Sequence, residues 1–384
     1  PDMSEVKRHP LLPRPNHDER ARQSFVRSFR RHLATRVMPG NYPLYAARVE
    51  PRFRAETGHA PSSPAELRAA MERDPYYQFW SALQRRSQEL LWESVIDPAE
   101  RQQEALVRRA AATGQRTGPR KGRRKGTLQL DAKLVVPRYH TAADIHLQPG
   151  GYHTEFAPDD ITAGALYDSG LHLYLDGAFG DSNDAMGDIL LGYFRQRFPG
   201  LAPARILDMG CAIGNSTLPW GRAFPRAALH AIDVAAPVLR YGHARAEALG
   251  VPVHFSQRNA EATGFEPGSF DLIVSHIMLH ETSKSALSNI LRECLRLLQP
   301  GGIMLHLEIP RGRTPLQKFM YNWESYNNNE TFAQFLTDVD LAQVAVRCGF
   351  EAGKVGMTTF APRAAGVQTL YSTEFAWTVL CGQR

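Results

Sequence analysis

His276, His280 and Glu281 fall within six residues of one another in "SHIMLHE", directly after the apolar run "FDLIV". Two imidazoles beside a carboxylate suit proton transfer, because imidazole titrates near neutrality and a carboxylate can orient it. His280 is the candidate general base and His276 the second. In a helix the two rings would share a face. The plainer alternative is that both pack beneath a ligand. They are not a metalloprotease pair, since the HExxH order is absent. Polar aromatics concentrate upstream in residues 128–182: Tyr139, His140, His146, Tyr152, His153, Tyr167, Asp168, His172 and Tyr174. Loops on a rigid scaffold commonly carry binding groups, and Tyr152 and Asp168 are the candidates to touch a substrate. Ordinary hydrogen bonding between domains is the alternative. No tight His/Cys spacing appears, so no metal is expected. In "MYNWESYNNNE", Tyr321, Trp323, Tyr326 and Asn327 are candidates for a pocket wall, with a surface cap as the dull alternative.

These groups need a scaffold, and "RILDMGCAIGNS" begins one. A short apolar strand runs into a turn holding Asp208, Gly210, Cys211, Ala212 and Gly214. A parallel sheet binds ligands outside the carboxyl ends of its strands, where helix N-termini also point. Next, "ALHAID" reads as a strand ending in Asp233, followed by Val234. An acid there can accept hydrogen bonds from both ribose hydroxyls. Neither the G-x-G-x-x-G spacing of a dinucleotide fold nor the Gly-Lys-Ser/Thr of a P-loop is present. The expected ligand therefore has a ribose and adenine but no phosphates. S-adenosylmethionine meets that description.

Five stretches in order resemble the class I S-adenosylmethionine-dependent methyltransferases. "LDMGCAIGN" looks like their first motif, E/D-x-G-x-G-x-G, with Ala212 at the middle glycine. "HAIDVAAPVL" is similar to the ribose-binding motif, which places Asp233 and Val234 at the sugar. "VHFSQRNAEATGF" looks like the third-strand motif, with Asn259 and Ala260 at the adenine and an amide where the family usually has Asp. "GSFDLIVSHIMLHE" resembles the fourth-strand motif and puts Ser275 near the sulfonium. "LRLLQPGGIMLHLEIP" resembles the Pro-Gly-Gly turn and fifth strand. The resemblance implies an α/β fold: a Rossmann-like doubly wound, seven-stranded sheet over residues 183–384.

The remaining elements are read from periodicity. Residues 1–112 predict an N-terminal helical domain, in which Phe25, Val26, Phe29 and Leu33 form one apolar stripe. Ser63-Pro64 with Glu66, Asp74-Pro75, and Asp97-Pro98 with Glu100 each read as a helix start. Aromatics on these helices are expected to be core, or the wall of a substrate pocket at the domain junction. Residues 113–127 read as a flexible basic linker, and 128–182 as a connecting lid. The first 130 residues carry 25 Lys+Arg against 14 Asp+Glu, and the remainder 20 against 25. Residues 108–126 hold eight basic residues and no acid. That stretch can bind nucleic acid through phosphates, although no aromatics interleave to stack bases. Four dispersed cysteines, no long apolar run and no secretory h-region predict a cytoplasmic protein outside the membrane. The expected activity is methyl transfer to a small-molecule acceptor, of the kind found in secondary metabolism. The alternatives are cyclisation of the cofactor to azetidine-2-carboxylate with release of methylthioadenosine, and RNA methylation.

Overall fold

The computed structural model describes residues 9–114, 126–174, 176–361 and 376–384. Its centre is one sheet: β1 (Thr127–Gln129), β2 (Arg205–Met209), β3 (Ala228–Asp233), β4 (His254–Gln257), β5 (Phe270–His276), β6 (Leu298–Glu308), β7 (Val355–Phe360) and β8 (Trp377–Gln383). The spatial order is β1-β4-β3-β2-β5-β6-β8-β7. Strands β1 to β6 are parallel, while β8 runs antiparallel to β6 and β7 to β8. Strand β2 reads "RILDM" and is buried from Ile206 onward, as a strand covered on both faces must be. The order reverses between β2 and β5, and such a switch point opens a crevice at the strands' carboxyl ends.

Seven strands were expected and the described residues form eight. The extra one is β1, whose three residues are too few to show an alternation in the sequence. It pairs with His254–Ser256 of β4, while Thr127 N–H donates to Val253 O at 3.1 Å and Gly126 N–H to Glu247 Oε1 of the preceding helix at 2.8 Å. The segment read as a lid thus begins inside the sheet.

The helices bearing on the site are α1 (His17–His32), α2 (Pro64–Glu72), α3 (Pro75–Glu100), α4 (Gln103–Gly114), α5 (Thr162–Tyr174), α6 (Ala185–Arg197), α7 (Leu218–Ala223), α8 (Ala236–Leu249), α9 (Lys284–Leu297), α10 (Pro315–Tyr321), α11 (Trp323–Asn327) and α12 (Leu341–Arg347). Ser63 and Glu66 form a reciprocal capping box, and Asp74 accepts from Tyr76 N–H. Asp97-Pro98 does not start a helix. Pro98 lies in the last turn of α3, where only one intrahelical bond is lost, and α4 begins at Gln103. Of the α1 stripe, Val26 and Leu33 are buried, while Phe25 is 62% exposed. Helices α6 and α7 pack Leu190, Phe194 and Trp220 on one face of the sheet; α9 and α12 pack Ile290, Leu291 and Leu341 on the other. Most of the basic linker, residues 115–125, lies outside the described residues. No helix among the described residues is long and apolar enough to cross a membrane.

Candidate functional site

The first turn at the crevice is shaped by three left-handed residues: Gly210 (φ 69°), Ala212 (φ 45°) and Gly214 (φ 70°). At Gly210 a Cβ would stand 2.3 Å from Met278 Cγ, so only glycine lets this turn meet the loop after β5. Ala212 adopts a conformation that alanine reaches at a cost of roughly 1–2 kcal/mol. The turn is tied to β3 by Gly210 and Cys211 N–H, both donating to Ile232 O at 2.8 and 3.0 Å.

A cavity of about 700 Å³, open at its mouth, occupies the crevice. Of the residues singled out from the sequence, Tyr152, Gly210, Ala212, Asp233, Val234, Asn259, Ala260 and His276 line it, together with Tyr139, His140, Tyr167 and Glu281. Asp208, Cys211, Gly214, Ser275, His280 and Asp168 do not. Each of these has another place. Asp208 sits under the turn, accepting from Thr217 Oγ1 at 2.5 Å and facing His276 Nδ1 at 3.3 Å. Gly214 N–H donates to Cys211 O, and the Cys211 thiol is buried, which raises its pKa far above normal. Ser275 Oγ pairs with His306 Nδ1 at 2.7 Å inside the core.

Asp168 departs furthest from the sequence reading. It is 1% exposed and enclosed by His9, Asn183, Tyr241 and Arg245 at 2.8–3.0 Å, so it has no access to a substrate. Burial works against its charge, yet Arg245 and His9 hold its pKa well below the carboxylate range. Likewise, Trp323 is buried against Trp80 and donates to Ser81 Oγ, and Tyr326 is half-exposed beneath Arg68. The 320–330 segment therefore packs on the N-terminal helices, and neither Tyr321, Trp323, Tyr326 nor Asn327 lines the cavity.

At the sugar end, Asp233 accepts from Ala212 N–H and Ala235 N–H, both at 2.9 Å. Burial raises its pKa, partly offset by His140 and these two donors. Beside it His140 Nε2 is buried with no partner. At the far end Asn259 Oδ1 accepts from Glu261 N–H at 2.9 Å. Tyr139 is fixed as a wall by its hydroxyl on Glu261 Oε1 at 3.1 Å.

From Glu281 a file of titratable side chains leads inward. Glu281 Oε1 faces His146 Nε2 at 3.2 Å, and His146 Nδ1 faces Glu330 Oε1 at 2.9 Å. Glu330 Oε2 lies 3.8 Å from His280 Nε2, and His280 Nδ1 bonds Glu308 Oε2 at 2.8 Å. Burial alone would deprotonate His280, but Glu308 and Glu330 outweigh it and raise its pKa to about 9. His146 is raised in the same way by Glu330 and Glu281. Burial opposes ionisation of Glu330, and His146 and His280 reverse that. Glu324, buried beside Glu330, is pushed up to about 8 by desolvation first and by Glu330 second.

The carboxylate that orients His280 is thus Glu308, not the adjacent Glu281. The two histidines do not share a face, because His276 ends β5 and only Leu279–Glu281 are helical. Glu308 was missed although a signal existed: β5 and β6 are parallel neighbours, with Ser275 opposite His306 and His276 opposite Leu307. That register brings the last residue of β6 beside the loop after β5. Arg258, Ile277 and Met278 also line the cavity without having been singled out.

The family model described as a methyltransferase domain matches residues 206–302, the span from β2 to the middle of β6. Residues 206–302 are thus a methyltransferase domain. That domain is 34% identical over 109 residues to a demethylmenaquinone methyltransferase of Thermus thermophilus, covering 28% of this chain and 49% of the relative. It is 28% identical over 164 residues to a ubiquinone biosynthesis O-methyltransferase of Pectobacterium carotovorum, covering 42% and 64%. The chain thus spans about half to under two thirds of the length of these relatives. Among solved structures, a Haemonchus contortus phosphoethanolamine N-methyltransferase 2 in complex with S-adenosyl-L-methionine aligns with a TM-score of 0.42 at 17% identity, over 56% of this chain and 57% of that one.

The residues of the methyltransferase domain fit an S-adenosylmethionine molecule. Asp233 retains free lone pairs for two hydroxyls, the unpartnered His140 Nε2 lies on the same wall, and the Asn259 Nδ2 amide donates to no described residue.

Proposed function

We propose that the protein transfers a methyl group from S-adenosylmethionine to a small-molecule acceptor. The observation that carries this reading is a single cavity at the switch point, with Asp233 at one end, Asn259 at the other and Glu281 opening onto a buried proton-carrying file. Bound there, the cofactor supplies a sulfonium methyl open to in-line attack. Asp233 holds the sugar, Asn259 and Ala260 the base, and the His276–Met278 loop forms the floor between them. Tyr139, Tyr152 and Tyr167 close over the top and exclude water.

An acceptor that carries a proton must lose it as the methyl arrives. Glu281 is the carboxylate on the wall that receives this proton, and His146, Glu330, His280 and Glu308 form a file of alternating acids and imidazoles behind it, its widest step the 3.8 Å from Glu330 to His280. His280 acts through that file and not by touching the acceptor. Pairing with Glu308 keeps its ring protonated at neutral pH, which holds Glu330 ionised and aimed at His146.

Calorimetry with S-adenosylhomocysteine tests the site. The intact chain binds it, and Asp233→Ala weakens binding at least about 100-fold, as the loss of two charge-assisted hydrogen bonds requires (roughly 1.5–3 kcal/mol each). Unchanged affinity sinks the assignment. Incubation with S-adenosylmethionine alone separates the chemistries: methylthioadenosine formed without an acceptor means intramolecular cyclisation, whereas acceptor-dependent S-adenosylhomocysteine means transfer.

A further inference from the structure

Behind Tyr152 and Tyr167 lies a second chamber, about 370 Å³, lined also by Trp92, His146, Leu171 and Tyr174. Tyr152 and Tyr167 line both this chamber and the cofactor cavity and so form the wall between them. Four aromatic side chains and one imidazole surround this space.

The chain builds this chamber from flat faces. Gly170 lets α5 lie against the indole of α3, since a Cβ there would stand 2.6 Å from Trp92 Cζ3. The indole is fixed by Nε1 donating to His146 O at 2.7 Å, and Gln88 Nε2 donates to the same oxygen at 2.8 Å. Tyr152 and Tyr167 meet edge to face with centroids 5.6 Å apart. Tyr174 is backed by the Arg30 guanidinium, 4.6 Å from its ring centroid. His146 is the one ionisable group facing this space besides the tyrosines, and both its nitrogens are already engaged by Glu281 and Glu330.

A second observation points to a ligand. Tyr152 is 7% exposed and Tyr167 is partly buried, and the two rings hold one another edge to face while their hydroxyls make no hydrogen bond among the described residues. Both rings line the cofactor cavity and the second chamber, so their hydroxyls are available to a guest in either space. Burial, with Glu281 nearby, raises both phenols far above their ordinary pKa, so each is a neutral donor throughout the physiological range.

We propose that this chamber seats the methyl acceptor and selects a planar aromatic molecule. The acceptor's oxygen or nitrogen is held at the threshold of the cofactor cavity by the hydroxyls of Tyr152 and Tyr167. The inference rests on the methyl-transfer reading and adds the substrate class. Ring faces and edges reward a flat guest by about 0.5–1.5 kcal/mol per aromatic pair, and a puckered ring of equal size forgoes that. Fixed ammonium or phosphate groups have no free counter-charge among the lining residues.

The test titrates 1-naphthol and its saturated, puckered counterpart 1-decalol into the full chain, with and without saturating S-adenosylhomocysteine, following binding by calorimetry. The expected result is 1-naphthol binding at least ten-fold tighter than 1-decalol. Gly170→Ala, which pushes the Trp92 ring into the chamber, should weaken 1-naphthol at least ten-fold with S-adenosylhomocysteine affinity unchanged. Leu171→Phe fills the same space and gives the same readout should Gly170→Ala not fold. Tyr152→Phe should weaken 1-naphthol about five-fold. Equal affinity for the two probes, or 1-naphthol binding that survives both filling variants, overturns the assignment. A chain that binds 1-naphthol selectively but not S-adenosylhomocysteine keeps the chamber and overturns the cofactor reading instead.

Discussion

His280 acquires its chemistry from Glu308, 28 residues away, and that contact has measurable consequences. Glu308→Gln removes the charge that offsets burial, so the imidazole becomes neutral, and both Glu308→Gln and His280→Ala should lower turnover 10²- to 10⁴-fold. S-adenosylhomocysteine affinity should be retained in both. A His280→Ala protein with full turnover would remove the file behind Glu281 from the mechanism. Asp233 carries a pH signature. Its raised pKa falls when ribose hydroxyls stabilise the carboxylate, so cofactor binding releases a proton and affinity should decline as pH drops through the raised value. Affinity indifferent to acid in the intact chain would contradict that role. Ala212→Gly, at φ 45°, should raise stability by up to about 1 kcal/mol, read as a higher midpoint in urea. Asp233 and Asn259 are legible in the sequence because strand ends and turns are local features. Glu308, Glu330 and Trp92 are not, because each acquires its meaning from a partner on another segment.

Among the elements, the contact between the 144–147 turn and the 328–330 segment determines how the site closes. Asn328 Nδ2 meets His146 Nδ1 at 3.0 Å, Asn329 Nδ2 donates to Asp144 O at 2.9 Å, and Glu330 binds His146. His146 itself has φ 55°, strain kept in place by those partners. His280 and Glu324 both bind protons more tightly here than in an unfolded chain, at about 9 and about 8. The sign follows. Stability from His280 is complete below its unfolded value near 6.5 and is lost as pH rises through 9, up to about 3 kcal/mol. The raised carboxyl of Glu324 contributes in the same direction between 4.5 and 8. Thermal unfolding should therefore occur at lower temperature at pH 9.5 than at pH 7, and Glu308→Gln should flatten that slope. A midpoint that rises over this interval would contradict the arrangement. Ser63 and Asp74 are visible as caps from sequence because their partners lie within three residues. Asp97 offers the same residue types but bonds Arg22, 75 positions away, and no local pattern reveals that.

Over the whole molecule, Asp168 holds together pieces that are distant in sequence. The carboxylate joins the amino-terminal tail at His9, the loop at Asn183 and α8 at Tyr241 and Arg245, all around α5. Asp168→Ala strands the buried Arg245 guanidinium and should cost about 3–5 kcal/mol, lowering the melting temperature by several degrees. Because α5 supplies Tyr167, cofactor binding should weaken with it; an unchanged melting temperature would remove Asp168 from this role. The doubly wound order was readable because each strand carries its own apolar run. The docking of the amino-terminal helices on α5 was not, since Trp92 and Gly170 mean nothing apart. Strand β1 has one more effect, on assembly. Short as it is, it caps the flank of β4, so the backbone amides there are no longer free to recruit a neighbour's strand. Among the described residues the sheet then ends at β1, three residues long, and at β7, six residues long, so Val355–Phe360 is the longer margin left for a strand-swapped dimer or a fibril seed.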